Sequence, residues 1–167
     1  MAEITVRRLT EEEWDEFRSV RLAALQESPE AFVASYEQES GYDEDFWRLR
    51  MRRSQRILAE VDGEAVGVVS VGMADDDEGK MADLFGLWVS PALRGKGVAS
   101  KLVKAGAKHA ARSGRTHLNY WVGTENGRAV AFASGFGFRP TDERREVRVE
   151  SEEDGPEEIR MVLPLDV

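Results

Sequence analysis

Two glycines and two cations crowd into one short stretch, Arg94-Gly95-Lys96-Gly97, just ahead of the run Val98-Ala99. Such a junction between loop and helix binds anions. The first-turn N–H groups of a helix have no partner inside the helix. They also carry the positive end of its dipole, so an anion placed there is held by both effects. Gly95 and Gly97 remove side chains where a bulky anion must approach the backbone. Arg94 and Lys96 add positive charge at the same point. The expected ligand group is a phosphate or pyrophosphate. A P-loop reading fails, because no glycine stands at the required upstream position and Gly97 follows Lys96 where Ser or Thr is needed. A dinucleotide fingerprint is weak, because Ser100 replaces the third glycine and Arg115–Val122 offers no acidic residue for a ribose.

The elements that must position this loop are legible from patterning. Ile4–Arg8 reads as a strand, and Thr10 with Glu13 forms a capping box that opens a helix through Gln26. Trp14, Phe17, Val20, Arg21 and Leu25 recur along it at helical spacing. Pro29 opens a second short helix through Ser35, and Asp43–Met51 reads as a third. Strands follow at Arg56–Val61 and Ala65–Val71, joined by the hairpin signal Asp62-Gly63, and again at Ala82–Val89. A long helix is expected from about Arg94 to Ser113, closed by Gly114. Thr116–Val122 reads as a strand, Asn126 starts a helix through Phe132, and Arg145–Val149 and Ile159–Leu163 read as the last strands. This order predicts an α/β (α+β) fold: one domain over 1–167, with a central mixed sheet of about seven strands and helices on both faces.

The residues quoted so far resemble the GNAT acetyltransferase superfamily over nearly the whole chain. Arg94-Gly95-Lys96-Gly97-Val98-Ala99 matches that family's pyrophosphate loop, and Leu87-Trp88-Val89-Ser90-Pro91 is similar to the end of its fourth strand. Asn126 to Phe138 resembles its later motif, in which an Asn begins a helix ending in Gly-Phe. The resemblance implies acetyl-CoA as co-substrate, with pantetheine along Leu87, Trp88 and Val89 and pyrophosphate on Arg94 to Ala99. Asn126 would orient the cofactor or the acceptor. It also implies direct attack by an amine, a small molecule or a peptide, without an acyl-enzyme; homodimers are frequent in the family.

One departure stands out. Ala133 occupies the position where members often carry a Tyr that protonates the leaving thiolate, with Ser134 beside it. Ser134, Tyr120 or a water are the candidate acids. For the general base, Asp83 is the candidate on the fourth strand; Glu125, Glu37 and Glu39 are weighed against it and read as solvated carboxylates. Two classes of function therefore stay open, an N-acetyltransferase and a non-catalytic or very slow acyl-CoA-binding module.

Bulk composition narrows the partners. Lys and Arg total 23 against 32 Asp and Glu, a formal charge of −9, which argues against nucleic acid and anionic membranes. The acidic stretches at Asp75–Glu78 and Glu152–Glu158 read as solvated loops. There are no cysteines, and His109 and His117 have no metal-ligand spacing, so no metal is expected. Met1–Arg7 has no basic start followed by an apolar run, which makes a cytoplasmic location the default expectation.

Overall fold

A computed structural model describes residues 3–29, 35–74, 78–146 and 157–165 of the 167. Strand β1 (Ile4–Arg8) is followed by a 3-10 turn at Glu11–Glu13 and helix α1 (Trp14–Glu27). The expected capping box is formed: the Thr10 N–H donates to Glu13 Oε1 at 3.0 Å. Helices α2 (Tyr36–Ser40) and α3 (Glu44–Arg53) come next, α3 capped by Asp43, whose carboxylate accepts from Phe46 N at 3.0 Å. The short helix expected after Pro29 falls largely on residues 30–34, outside the described residues; α2 has no counterpart in the sequence reading. Then come β2 (Gln55–Val61), β3 (Glu64–Met73), β4 (Met81–Val89), α4 (Val98–Arg112), β5 (His117–Gly123), α5 (Gly127–Phe136), β6 (Arg139–Glu146) and β7 (Glu157–Pro164).

The strands form one seven-stranded sheet in the order β1-β2-β3-β4-β5-β7-β6, with β4 and β5 parallel and every other pair antiparallel. The mixed sheet expected from sequence is present, with two corrections. The long helix begins at Val98 rather than near Arg94, because Gly95 and Gly97 adopt left-handed backbone that a helix cannot contain. The sixth strand begins at Arg139, not Arg145: Pro140 is its second residue and still pairs with Met161, and positions 147–149 of the expected strand lie outside the described residues.

Alternation along the strands sorts the core into two layers. Ile57, Val69, Val71, Leu84 and Leu118 pack beneath α4 with Val98, Leu102 and Val103. Leu58, Val68 and Trp88 face the other way, against Phe17, Leu25 and Trp47 of α1 and α3. Helix α4 comes close to the sheet over Gly67 of β3. A Cβ there would lie 3.0 Å from Leu102, 3.2 Å from Val98 and 3.1 Å from the Trp88 carbonyl oxygen, which is backbone and cannot rotate away. Gly67→Ala is therefore expected to destabilise by about 1–3 kcal/mol, the range for overpacking a filled core, outweighing the roughly 0.5–1 kcal/mol that Ala gains over Gly in a strand. A urea titration that left the midpoint unchanged would show that α4 can lift off β3 without cost.

Candidate active site

The site begins where the sheet comes apart. Strands β4 and β5 pair only from Met81↔His117 to Leu84↔Tyr120. From Phe85 onward β4 pairs with β3 alone, so the edge of Leu87, Trp88 and Val89 that faces β5 has no ladder partner among the described residues. The cause is local. Val68 opposes Trp88 and Ser70 opposes Phe85, so Val69 faces both Gly86 and Leu87 across a β-bulge. Gly86 has φ +65°, left-handed backbone that glycine adopts without strain. A bulge bends its strand, and this one turns the end of β4 away from β5 to leave a wedge.

The anion loop closes that wedge. Ser90 leads into a 3-10 turn at Pro91–Leu93, and Gly95 and Gly97 then take φ +79° and +86°. Gly97 is the N-cap of α4 and provides no side-chain cap, so the first N–H groups of α4 are left to face an incoming ligand. A Cβ built on Gly95 or Gly97 would meet nothing within 4 Å among the described residues, which leave open space in front of the loop backbone. The residues present fit a pyrophosphate. Val98 is buried in the core and anchors the loop; Lys96 is exposed.

Arg94 is placed differently from its neighbours. Its Nε donates to the Val89 carbonyl at 3.0 Å and its Nη2 donates to Glu27 Oε2 at 3.0 Å. The same carboxylate oxygen accepts from Trp88 Nε1 at 3.0 Å and from the Ser28 hydroxyl. These donors, the Ser28 hydroxyl foremost and Trp88 next, hold the Glu27 carboxyl below its ordinary range. Glu27 thus ties the end of α1 to the end of β4 and to the anion loop. Sequence reading passed over it; its only signal is a carboxylate at the end of a helix, where the dipole disfavours one.

The candidate bases and acids divide between the two sheet faces. Asp83 and Asn119 are register partners across β4 and β5, and Asn119 Nδ2 donates to Asp83 Oδ1 at 3.1 Å. Asn119 Oδ1 in turn accepts from Arg160 Nη1 at 2.8 Å, and Arg160 Nε donates to Glu143 at 2.9 Å. This chain lies on the face opposite α4. Tyr120 points to the α4 face, its ring 5.9 Å from that of Phe138. Burial, helped by the charge of Glu158, raises the Tyr120 hydroxyl above its ordinary range. Ala133 is fully buried in that same core, and Ser134 beside it is exposed. Asn126 caps α5, its side-chain oxygen accepting from Ala129 N at 3.1 Å. Glu37 and Glu125 are exposed as expected.

Glu39 is not solvated. It is 1% exposed and holds two arginines: Arg21 through Nε and Nη2 at 3.1 and 3.2 Å, and Arg50 through Nη1 at 2.7 Å. Arg56 lies beside them, donating to Ser70 Oγ at 2.7 Å and stacked over Phe17 at 4.6 Å and Phe85 at 5.5 Å. Burial, then the charges of Arg50 and Arg21, push Arg56 down to about 9. The cluster sits under the bulge: Arg21 Nη1 is 3.9 Å from where a Cβ on Gly86 would stand. The missed signal was Arg21 itself, a cation inside the apolar stripe of α1.

With this geometry in place, the relatives of the chain become informative. The sequence model of the Acetyltransferase (GNAT) family matches residues 7–138, and the chain belongs to that family. An uncharacterized N-acetyltransferase of Methanocaldococcus jannaschii is 26% identical over 139 residues, 80% of this chain and 60% of that protein. One from Archaeoglobus fulgidus is 31% identical over 96 residues, 56% of this chain and 65% of that protein. The chain thus spans less than two thirds of the length of either. Among solved structures, a GNAT-family acetyltransferase of Streptococcus pneumoniae superposes with TM-score 0.77 at 18% identity, covering 98% of this chain and 100% of that one. A Salmonella typhimurium protein solved with its cofactor acetyl-CoA gives TM-score 0.72 at 19% identity, covering 98% and 94%. These superpositions establish the shared fold.

Proposed function

We propose that this chain is an N-acetyltransferase that moves an acetyl group from acetyl-CoA to a primary amine within a ternary complex. The observation that carries the reading is the wedge beyond Leu84, opening onto the glycine loop of α4. The pyrophosphate is held by the loop Gly95–Ala99, with Lys96 as the available cation. Pantetheine lies along Leu87, Trp88 and Val89 and completes the unpaired edge of β4. A main-chain N–H of that edge donates to the thioester carbonyl and stabilises the charge that develops on its oxygen. The amine nitrogen attacks the carbonyl carbon, the C–S bond breaks, and coenzyme A leaves as its thiol. Asp83, fixed by Asn119, takes the proton from the amine. Tyr120 supplies the thiolate's proton, directly or through water, and retains that proton at neutral pH because burial raises its pKa. Ser134 is the alternative donor at the surface, and Asn126 positions ligand only with the side-chain atoms left over from capping α5.

The test follows thiol release from acetyl-CoA with a thiol-reactive dye against a panel of amines and peptides. An amine-dependent rate names the acceptor class. Binding of acetyl-CoA without release supports the second reading, a binding module, which Ala133 favours by standing where a tyrosine would be the acid. A pH profile tests Asp83. Asp83→Asn is expected to lower the rate at neutral pH by about 10²-fold, the lower end for general base catalysis. The deficit should shrink as pH approaches the amine's own pKa, about 10.4 for a lysine-like acceptor, since a neutral amine needs no base. A deficit constant with pH assigns Asp83 to structure instead.

A further inference from the structure

A second concentration of positive charge lies on the far side of the sheet edge, away from the wedge. Helix α4 presents Ala105, Lys108, His109 and Arg112 along one stripe, at spacings of three and four residues. Edge strand β1 brings Val6 and Arg8 to that stripe, both on one face of the strand. Together with Arg7 and Ile57 these residues line a cavity of about 260 Å³. Its floor is apolar, from Val6, Ile57 and Ala105, and its rim is cationic. Among the described residues no carboxylate lines it, and Arg8, Lys108 and Arg112 have no ion-pair partner. This is unexpected in a chain of net charge −9. The negative end of the α4 dipole accounts for cations in its last turns. It does not account for Arg8, which the ladder of β1 with β2 delivers to the same cavity and whose charge, after burial, pulls His109 below its ordinary range.

We propose that this cavity is a binding site for a small organic anion, a phosphate or carboxylate carried on an apolar body, separate from the glycine loop. The anionic group would sit among Arg8, Lys108, His109 and Arg112, and the apolar body would cover Val6, Ile57 and Ala105. His109 lies about ten residues along α4 from the loop, roughly 15 Å at 1.5 Å per residue, so one small ligand cannot occupy both places.

The chain has only two histidines, His109 and His117, so the C2–H proton of His109 can be followed by NMR and assigned with His109→Gln. Phenyl phosphate is the probe, inorganic phosphate its comparison, each titrated with and without saturating acetyl-CoA. The charged groups that line the cavity with His109 are Arg7, which is paired with Glu13, Glu16 and Glu60, and Arg8, Lys108 and Arg112. A midpoint that moves only when the ligand is added reports the ligand. Phenyl phosphate is expected to move the His109 midpoint upward by about one unit, the lower end for an opposite charge in contact. It should bind roughly tenfold more tightly than inorganic phosphate through its buried ring. Lys108→Glu and Arg112→Glu, both exposed positions, should each weaken it about tenfold or more, while Arg53→Glu, with the same change in net charge, should not. The proposal is overturned if millimolar phenyl phosphate leaves His109 unmoved, or if Arg53→Glu weakens it equally. It is also overturned if acetyl-CoA abolishes the response, which would place the probe on the loop, or if inorganic phosphate binds as tightly.

Discussion

Gly97→Glu is expected to raise the dissociation constant for acetyl-CoA by at least about 10²-fold while the chain still folds. Two effects act together. Gly97 has φ +86°, and a Cβ in left-handed backbone costs roughly 1–2 kcal/mol. The new carboxylate also projects into the open space before the loop, where no atom lies within 4 Å of the added Cβ. There it meets a pyrophosphate and competes for the same N–H groups and for Lys96. Asn tolerates left-handed backbone, so Gly97→Asn separates the two effects and should retain most of the affinity. Calorimetric titration with acetyl-CoA, with circular dichroism to confirm the fold, decides the matter. Equal losses in both variants would mean that backbone strain, not anion competition, governs the loop. Unchanged affinity in Gly97→Glu would remove the phosphate from this loop altogether.

What could be read from the chain, and what could not, divides by the range of the interaction. The capping box at Thr10 and Glu13, the Asp62-Gly63 turn between β2 and β3, and the glycine loop before α4 are local signals, and each is present. The helix start was misplaced by four residues because Arg94–Gly97 has the composition of a first turn, and only φ distinguishes a left-handed loop from it. The pairing of Asp83 with Asn119 depends on the register of two parallel strands 36 residues apart, which no local pattern encodes. The contact of Arg94 with Glu27 spans 67 positions, and the loop's own residues carry no trace of it. Glu39 is the extreme case. It sits in a five-residue helix among polar residues and reads as surface, yet three arginines from α1, α3 and β2 converge on its surroundings. Charges in an otherwise apolar stripe, Arg21 on α1 and Arg56 before Ile57-Leu58-Ala59, were the visible trace of that convergence.

The largest effect on stability is expected at Glu39. Glu39→Gln keeps the side chain's shape and an oxygen acceptor but removes the carboxylate that pairs with Arg21 and Arg50 and lies near Arg56. Breaking a buried ion pair by removing one partner costs about 3–5 kcal/mol, because the charge left behind loses its compensation; here that charge is chiefly Arg50, 2.7 Å from Glu39. For a chain of this length that corresponds to a fall in Tm of roughly 10 °C. The pH dependence gives an independent sign. Hydrogen bonds from Arg50 and Arg21 outweigh burial and hold the Glu39 carboxyl below its ordinary 4.5. A carboxyl depressed in the folded state contributes stability that is complete above its unfolded pKa and is lost as pH falls through the folded value. Wild type should therefore lose this contribution below 4.5, and Glu39→Gln, having none to lose, should show a flatter stability curve there. Glu39→Asp decides whether charge or packing is at work. It restores the charge one methylene short and should recover part of the lost stability and the acid slope. Equal destabilisation by Asp and Gln would assign the effect to the filling of this space. Because Arg21 lies against the bulge at Gly86, charge recovery in Glu39→Asp should also return the geometry of the β4 edge, read as acetyl-CoA affinity close to wild type.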